Sequence, residues 1–166
     1  MINKINLIFV TFFGIGKIKF ASGTLASLVT CVLLFIAFHV LSISSDLILL
    51  FLLIILIYSL IAVNACLNKF DTNDPKEIVI DEVIGQSIPL YLYEISYNIE
   101  KIFSKSLLPY LIIFVLFRAF DILKPFPINY FDRKYKNAFG VIFDDILAGF
   151  YVVVILILIM IVKSSF

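Results

Sequence analysis

Residues 20–45, FASGTLASLVTCVLLFIAFHVLSISS, carry no charge over 26 positions, and residues 47–68, LILLFLLIILIYSLIAVNACLN, carry none over 22. Each is long and apolar enough for a membrane-spanning helix, which needs about 20 largely apolar residues. Further along, residues 146–162 are charge-free over 17 positions. Residues 107–123 make another span if Arg118 and Asp121 lie at its polar end. Residues 83–99 are apolar apart from Glu94 and contain Pro89, and read either as a short fifth span or as a re-entrant hairpin. Residues 5–13 are too short to cross and read as an amphipathic or interfacial lead-in. Composition agrees. The 166 residues are 63% hydrophobic and 15% charged with a mean hydropathy of +1.13, against about 45–50% and 25% in soluble domains. The expected fold is all-α: a polytopic membrane bundle of about four to five transmembrane helices, forming one domain over residues 1–166.

Basic residues choose between the two readings of 83–99, because Lys and Arg collect on the cytoplasmic side. With five spans and a cytoplasmic N-terminus, Lys4, Lys17, Lys19, Lys69, Lys76, Arg118, Lys124, Arg133, Lys134 and Lys136 lie inside. Lys101, Lys105 and Lys163 lie outside, which is ten against three. Without the third crossing the division is eight against five, so five spans fits better. Lys17 and Lys19 interrupt the first apolar run and no small-residue cleavage pattern follows, so a cleaved leader is not expected.

Several functions fall away on composition. A net charge of +1 leaves no basic stripe to neutralise phosphates of a nucleic acid. Cys31 and Cys66 stand singly inside apolar runs and read as small buried hydrophobes. With His39 as the one histidine, neither a zinc site nor a two-histidine phosphatase is available. No arginine stands six residues after either cysteine, and Asp71-Thr72-Asn73-Asp74 is neither a haloacid-dehalogenase pair nor an EF-hand.

Carboxylates are the informative residues. Six of the twelve acids cluster at predicted membrane boundaries: Asp81-Glu82 in IVIDEVIG, Asp121 and Asp132 in FRAFDILKPFPINYFDRK, and Asp144-Asp145 in FGVIFDDILAG. Carboxylates there are costly unless paired, hydrated or bound to a cation. Gathered on one side from separate helices, they suit a hard divalent ion such as Mg²⁺, which takes oxygen ligands. Each cluster alone also has a plainer reading. Asp144-Asp145 would be an acidic helix N-terminus, Asp121 an i,i+3 partner of Arg118 or Lys124, and Asp81-Glu82 the solvated end of an acidic loop. Gly85, Ala148 and Gly149 follow the acids by three or four residues and would let helices approach closely. The prolines of Lys124-Pro125-Phe126-Pro127 end the fourth long helix and leave Lys124 near Asp121. Ser22-Gly23-Thr24 opens the first span, either as a phosphate-holding helix N-terminus or as an ordinary Ser/Thr N-cap.

Taken in order, FFGIGKIKFASGTLASL, IVIDEVIG, FRAFDILKPFPINYFDRK and FGVIFDDILAG resemble the motifs of the phosphatidylglycerophosphatase A family over roughly residues 9–155. The resemblance implies a Mg²⁺-dependent phosphatase of the bacterial cytoplasmic membrane, multi-pass, with its active site facing the cytoplasm. Such an enzyme takes a phospholipid, phosphatidylglycerophosphate, and releases its terminal phosphate to leave phosphatidylglycerol. Carried over, the family's acidic motifs fall on Asp81, Glu82, Asp121, Asp144 and Asp145 as metal ligands, with Asp132 as a further acid. Asp121, Asp145 and Lys124 are the catalytic candidates, and Ser22, Gly23, Thr24, Lys124 and Arg133 are the phosphate-binding ones. Whether Asp121 or Asp145 is the base, or an aspartate attacks directly, is open at this stage. Ser22, Ala26, Phe126 and Ala138 depart from the family's usual residues. A small cation transporter with the same carboxylates as pathway ligands is the rival reading, and it needs ionisable groups through the membrane rather than at one face. A lipid-headgroup transferase is the other rival, but its DGxxAR type of signature is absent.

Overall fold

The computed structural model describes residues 4–67, 75–96 and 103–164, all of it helix, turn and loop. Lys69, Asp71-Thr72-Asn73-Asp74, Glu100 and Lys101 lie outside the described residues, as do the side chains of Lys105 and Lys163. A short lead-in helix, α1 (Lys4–Val10), precedes α2 (Ser22–Phe35), which continues through a π-helical turn over Ile36–Val40. Then come α3 (Ser45–Leu67), α4 (Ile80–Ser96), α5 (Phe103–Leu123), α6 (Ile128–Lys134) and α7 (Ala138–Ser164). Ser22–Val40, Ser45–Leu67, Ser106–Leu123 and Ala138–Val162 are long and apolar enough to cross a membrane. The protein is an all-helical polytopic membrane bundle.

Composition sorts the helices between lipid and core. In α3 apolar residues point in every direction; Leu47, Leu50, Phe51, Ile54, Ile57 and Ile61 are exposed on its outer side, as expected of a lipid-facing helix. In α4 the pattern is reversed: Val83, Ile84, Gly85, Gln86, Ser87, Pro89, Leu90 and Tyr91 are all buried. Over residues 83–96 the segment is one continuous helix among the others, so no hairpin forms within the described part of the 83–99 stretch. At 17 residues it is about 25 Å long, short of the ~30 Å hydrocarbon core. It nevertheless joins the two ends of the bundle, because Glu82 lies beside the start of α2 at Gly23 while Glu94 meets His39 at the end of α2's π turn.

Two core layers stack along α4. One unites Val10, Ala26, Val63, Cys66, Val79, Ile80 and Ile142; the other unites Cys31, Phe35, Leu90, Tyr110, Ile113, Phe117 and Val152. The lead-in helix α1 is fastened to α3 by Tyr58, whose hydroxyl donates to Asn6 Oδ1 at 2.7 Å, and by the edge contact of Phe9 with Tyr58. The Val79 N–H donates to the Val10 carbonyl at 3.0 Å, closing α1 onto the entry to α4.

Close approach of α4 and α7 sets the site. Pro89 has no N–H, so the Gly85 carbonyl loses its helical donor. Gly149 of α7 packs against that same carbonyl, and a Cβ on Gly149 would overlap it. A Cβ on Gly85 would in turn overlap the Asp145 carbonyl and the Phe117 ring. Glycine at both positions therefore lets the backbones touch. The acids stand one turn before each glycine.

Candidate active site

Asp81 and Glu82 occupy the first turn of α4, and Asp144 and Asp145 are the seventh and eighth residues of α7. That helix begins at Ala138, well before residue 146, because the acids that interrupt the charge-free run are buried within the helix rather than ending it. The plain reading of Asp144-Asp145 as an acidic helix terminus is thus corrected: no acid lies in the first turn of α7. Across the Gly85–Gly149 contact, one carboxylate oxygen from each of Asp81, Glu82 and Asp145 lies within 4.8 Å of the others. Asp81 Oδ1, Glu82 Oε2 and Asp145 Oδ2 are buried and accept no hydrogen bond.

Cations approach this triad from α5. Arg118 Nη1 lies 2.5 Å from Asp121 Oδ2, 3.8 Å from Glu82 Oε1 and 3.5 Å from Ser27 Oγ. Gly23 makes room for the arrangement, since a Cβ there would overlap the Glu82 carboxylate and crowd Arg118. Of the four carboxylates Asp81, Glu82, Asp121 and Asp145, the guanidinium meets Asp121 and Glu82. Such convergence of like charge is unfavourable without a further cation.

Lys124 corrects a second expectation. It sits in the left-handed backbone region at φ 42, immediately after α5. Its ammonium pairs with Asp132 Oδ1 at 2.9 Å and with Asp144 Oδ2, while Asp121 pairs with Arg118. Asp132 comes from α6, a helix the sequence does not announce, and is also approached by Lys136 at 3.7 Å. Burial by itself would lower the Lys124 pKa, but the two carboxylates outweigh it and hold the ammonium above its ordinary value. Burial would raise Asp132, and the hydrogen bond and charge of Lys124, with Lys136, reverse this and lower it. Lys124 is consequently a fixed positive charge rather than a proton donor.

These groups line one open cavity of about 650 Å³. Its wall includes Ser22, Gly23, Asp81, Glu82, Arg118, Asp121, Lys124, Asp132, Asp144 and Asp145. Thr24 and the exposed Arg133 are not among the lining residues. Ser22 is not an N-cap: that position is Ala21, at φ 51 with no side-chain cap, while Ser22 Oγ donates to the Lys76 carbonyl at 3.0 Å. The structure brings the six predicted acids to one cavity but divides them, with Asp81, Glu82 and Asp145 converging and Asp121, Asp132 and Asp144 held by cations. Reasoning from sequence missed Arg118 as a member of the site. Its i,i+3 spacing to Asp121 signalled a local pair, and only the packing of α5 on α4 shows the reach to Glu82.

The sequence model of the phosphatidylglycerophosphatase A family matches residues 8–160. The chain belongs to that family. A phosphatidylglycerophosphatase A from Haemophilus influenzae is 37% identical over 158 residues, covering 93% of this chain and 88% of its own length. A Bacteroides thetaiotaomicron protein provisionally named phosphatidylinositol-3-phosphatase is 30% identical over 153 residues, or 85% of this chain and 84% of its own length. The Escherichia coli phosphatidylglycerophosphatase A matches at 50% identity over 36 residues, 22% of this chain and 21% of its own length. No solved structure matches. As a member of the phosphatidylglycerophosphatase A family the protein is a membrane phosphatase.

Proposed function

We propose that this phosphatase hydrolyses the terminal phosphomonoester of phosphatidylglycerophosphate, giving phosphatidylglycerol and inorganic phosphate, and that it needs Mg²⁺. The convergence of Asp81, Glu82 and Asp145, three carboxylates each with a buried oxygen unpartnered among the described residues, beside a cavity bearing Arg118 and Lys124, carries the reading. An all-oxygen donor set of this kind fits a hard divalent cation and not a soft one. Asp81, Glu82 and Asp145 would hold the ion, with the free Oδ1 of Asp144 beside them. When bound, the ion supplies neutralisation of phosphate oxygens and acidification of water.

The chain's own residues supply the rest. Arg118 and Lys124 offset charge on the phosphoryl oxygens. Lys124 uses two of its three N–H bonds on Asp132 and Asp144, which leaves one for the phosphate or the departing oxygen. Asp121 lines the cavity with one oxygen tied to Arg118, and is the group positioned to take a proton from attacking water. A membrane boundary suits this chemistry, because acyl chains stay in lipid while the headgroup meets water.

The ten-to-three distribution of basic residues supports a cytoplasmic active site in a bacterial inner membrane, within a single domain over residues 1–166. A cation pathway would need charge along the bundle, whereas the described midsections of α2, α3 and α7 carry none. Phosphate release from phosphatidylglycerophosphate by the purified protein tests the reading. Activity should vanish in EDTA and return with Mg²⁺, and unchanged turnover in EDTA would refute the metal role. A cysteine label at Lys136 should react from the cytoplasmic side and one at Lys101 from the other; reaction of both from one face refutes the orientation.

A further inference from the structure

The cavity has a second charged region that the hydrolytic machinery does not use. Lys17, Lys19 and Lys76 all line it, all are exposed, and none makes an ion pair among the described residues. By contrast the lysines on the acidic side, Lys124 and Lys136, both have carboxylate partners. Among the described residues Glu77 is the one acid lining the wall near the three lysines, so the described lining of this end is net positive.

Contacts fix the order of groups along the wall. The Gly16 backbone packs on Glu77, bringing Lys17 next to Lys76 in the lining. Ser22 is hydrogen-bonded to the Lys76 carbonyl, Gly23 abuts the Glu82 carboxylate, and Glu82 leads through Arg118 to Asp121. The basic end thus lies on the far side of Ser22-Gly23 from the acids. Apolar side chains are interleaved with the lysines. Ile18 lies in the cavity wall between Lys17 and Lys19 and is exposed, and Phe20, just outside the lining, is 83% exposed. Along this wall the lysines with Ile18 stand on one side of the Ser22-Gly23 helix start, and the carboxylates with Arg118 stand on the other.

We propose that Lys17, Lys19 and Lys76 bind the phosphodiester of the lipid substrate, so that the enzyme recognises a phosphomonoester by the second, non-reacting phosphate that joins it to the diacylglycerol. The inference rests on the substrate reading given above. In such a lipid the order is acyl chains, phosphodiester, polyol, phosphomonoester. Its two phosphates match the two sides of the wall: the diester the lysines, with exposed Ile18 among them, and the monoester Arg118 and the carboxylates beyond Ser22-Gly23. Lysine suits a diester, which offers one delocalised negative charge and no demand for a planar fork. Binding energy gathered at this remote group places the monoester at the reacting centre. A lipid whose monoester is attached directly to diacylglycerol lacks this handle and should be a poor substrate.

The test uses the full-length protein in neutral detergent micelles, where the surface charge of a bilayer is absent. The two products separate the two ends: phosphatidylglycerol carries only the diester, and inorganic phosphate only the group released at the acidic end. The combined variant Lys17→Gln, Lys19→Gln, Lys76→Gln should raise KM for phosphatidylglycerophosphate about tenfold, three exposed contacts each contributing modestly, with kcat within about twofold. Inhibition by phosphatidylglycerol should weaken by the same factor and inhibition by phosphate should not change. The corresponding triple Lys→Arg variant should keep the wild-type KM, which guards against a folding artefact. An unchanged KM overturns the proposal. Equal weakening by both products also overturns it, since that is a general field of the cavity. Failure of the wild type to release phosphate from this lipid refutes the substrate reading instead. The lysine site is then judged from phosphatidylglycerol binding in the same micelles, and binding that does not depend on the three lysines overturns it.

Discussion

At one end of α4, Glu94 meets His39 at 2.9 Å, and His39 is packed by Phe35 at 4.6 Å and Tyr110 at 6.0 Å. At the other end, Asp81 and Glu82 meet a further acid, Asp145, and keep oxygens that no protein donor reaches. Both ends carry carboxylates that would be costly alone in a membrane protein. At the Glu94 end the carboxylate meets a partner within the chain, which joins α2 to α4, although His39 Nδ1 has none among the described residues. The Asp81-Glu82 end is brought together by helices at glycine contact and left short of positive charge. A fold that holds acids this close without a matching cation is arranged for something that arrives from outside. The same residue type thus reads as structural or functional according to whether the chain completes it.

Breaking the acidic end should have the largest effect. Asp145→Asn keeps the volume and removes one anion, and should lower kcat/KM at least about 100-fold, since loss of even an outer-shell partner of a metal ligand costs about 10–100-fold. Thermal stability should hold or rise as repulsion among the carboxylates is relieved. Asp81→Asn should behave alike. Steady-state kinetics and a melting curve on the same preparations decide it. Variants that stay active yet unfold earlier would make the acidic end structural, like the other.

The next effect lies in the crossing that creates this end. Gly149→Ala places a methyl against the Gly85 carbonyl. Overpacking of this kind costs about 1–3 kcal/mol. The displacement of Asp145 from Asp81 should also cut turnover by about tenfold or more, as small misplacements do. Stability loss without loss of turnover would show that the Gly85–Gly149 contact holds the bundle but does not position the acids.

A smaller effect is expected from Arg118→Lys, which keeps the charge and removes the fork that serves both Asp121 and Glu82. Turnover should fall about tenfold, with the melting temperature little changed, because the charge that offsets the acids is retained. Full activity in the Arg118→Lys variant would place the guanidinium outside the phosphate's reach.

How much of this was legible in the sequence follows from the range of each interaction. Charge-free runs reveal helices directly, so α2, α3 and α5 appear near their expected limits. Residues 146–162 gave only part of α7, because a run that ends at a charge cannot show a helix that buries two acids. The six acids were legible as a group, being unexpected at a membrane boundary, but their division into a converging triad that only Arg118 approaches, through Glu82, and a set held by Arg118 and Lys124 was not. That division depends on Lys124, whose left-handed backbone turns its ammonium to Asp132 and Asp144. Arg118 was hidden for the opposite reason, in that its local pairing was visible and its long-range contact was not. The role of Gly85 and Gly149 was suggested by spacing alone. What spacing does not contain is the freed carbonyl opposite Pro89 against which the two backbones meet.

The smallest effect on catalysis should come from the Glu94 end, and it sharpens the comparison most cleanly. If that pair is complete in itself, Glu94→Gln should keep turnover within about twofold, because it lies a whole helix length from the acids that Asp145→Asn disables. Its effect should appear in stability instead. The hydrogen-bonded pair is nearly enclosed, with 3% and 10% of the two side chains exposed, so removing one partner leaves a buried polar group unmet and costs about 1–3 kcal/mol. His39→Leu should cost a similar amount. The double variant should cost less than the two singles added together, since each removes the group that the other leaves stranded. Melting midpoints of the four proteins in one detergent give the coupling, and phosphate release gives the separation from catalysis. Additive losses would mean that His39 and Glu94 act independently. A collapse of turnover in Glu94→Gln would mean that the two ends of α4 are coupled, and the division between a completed end and an incomplete one would fail.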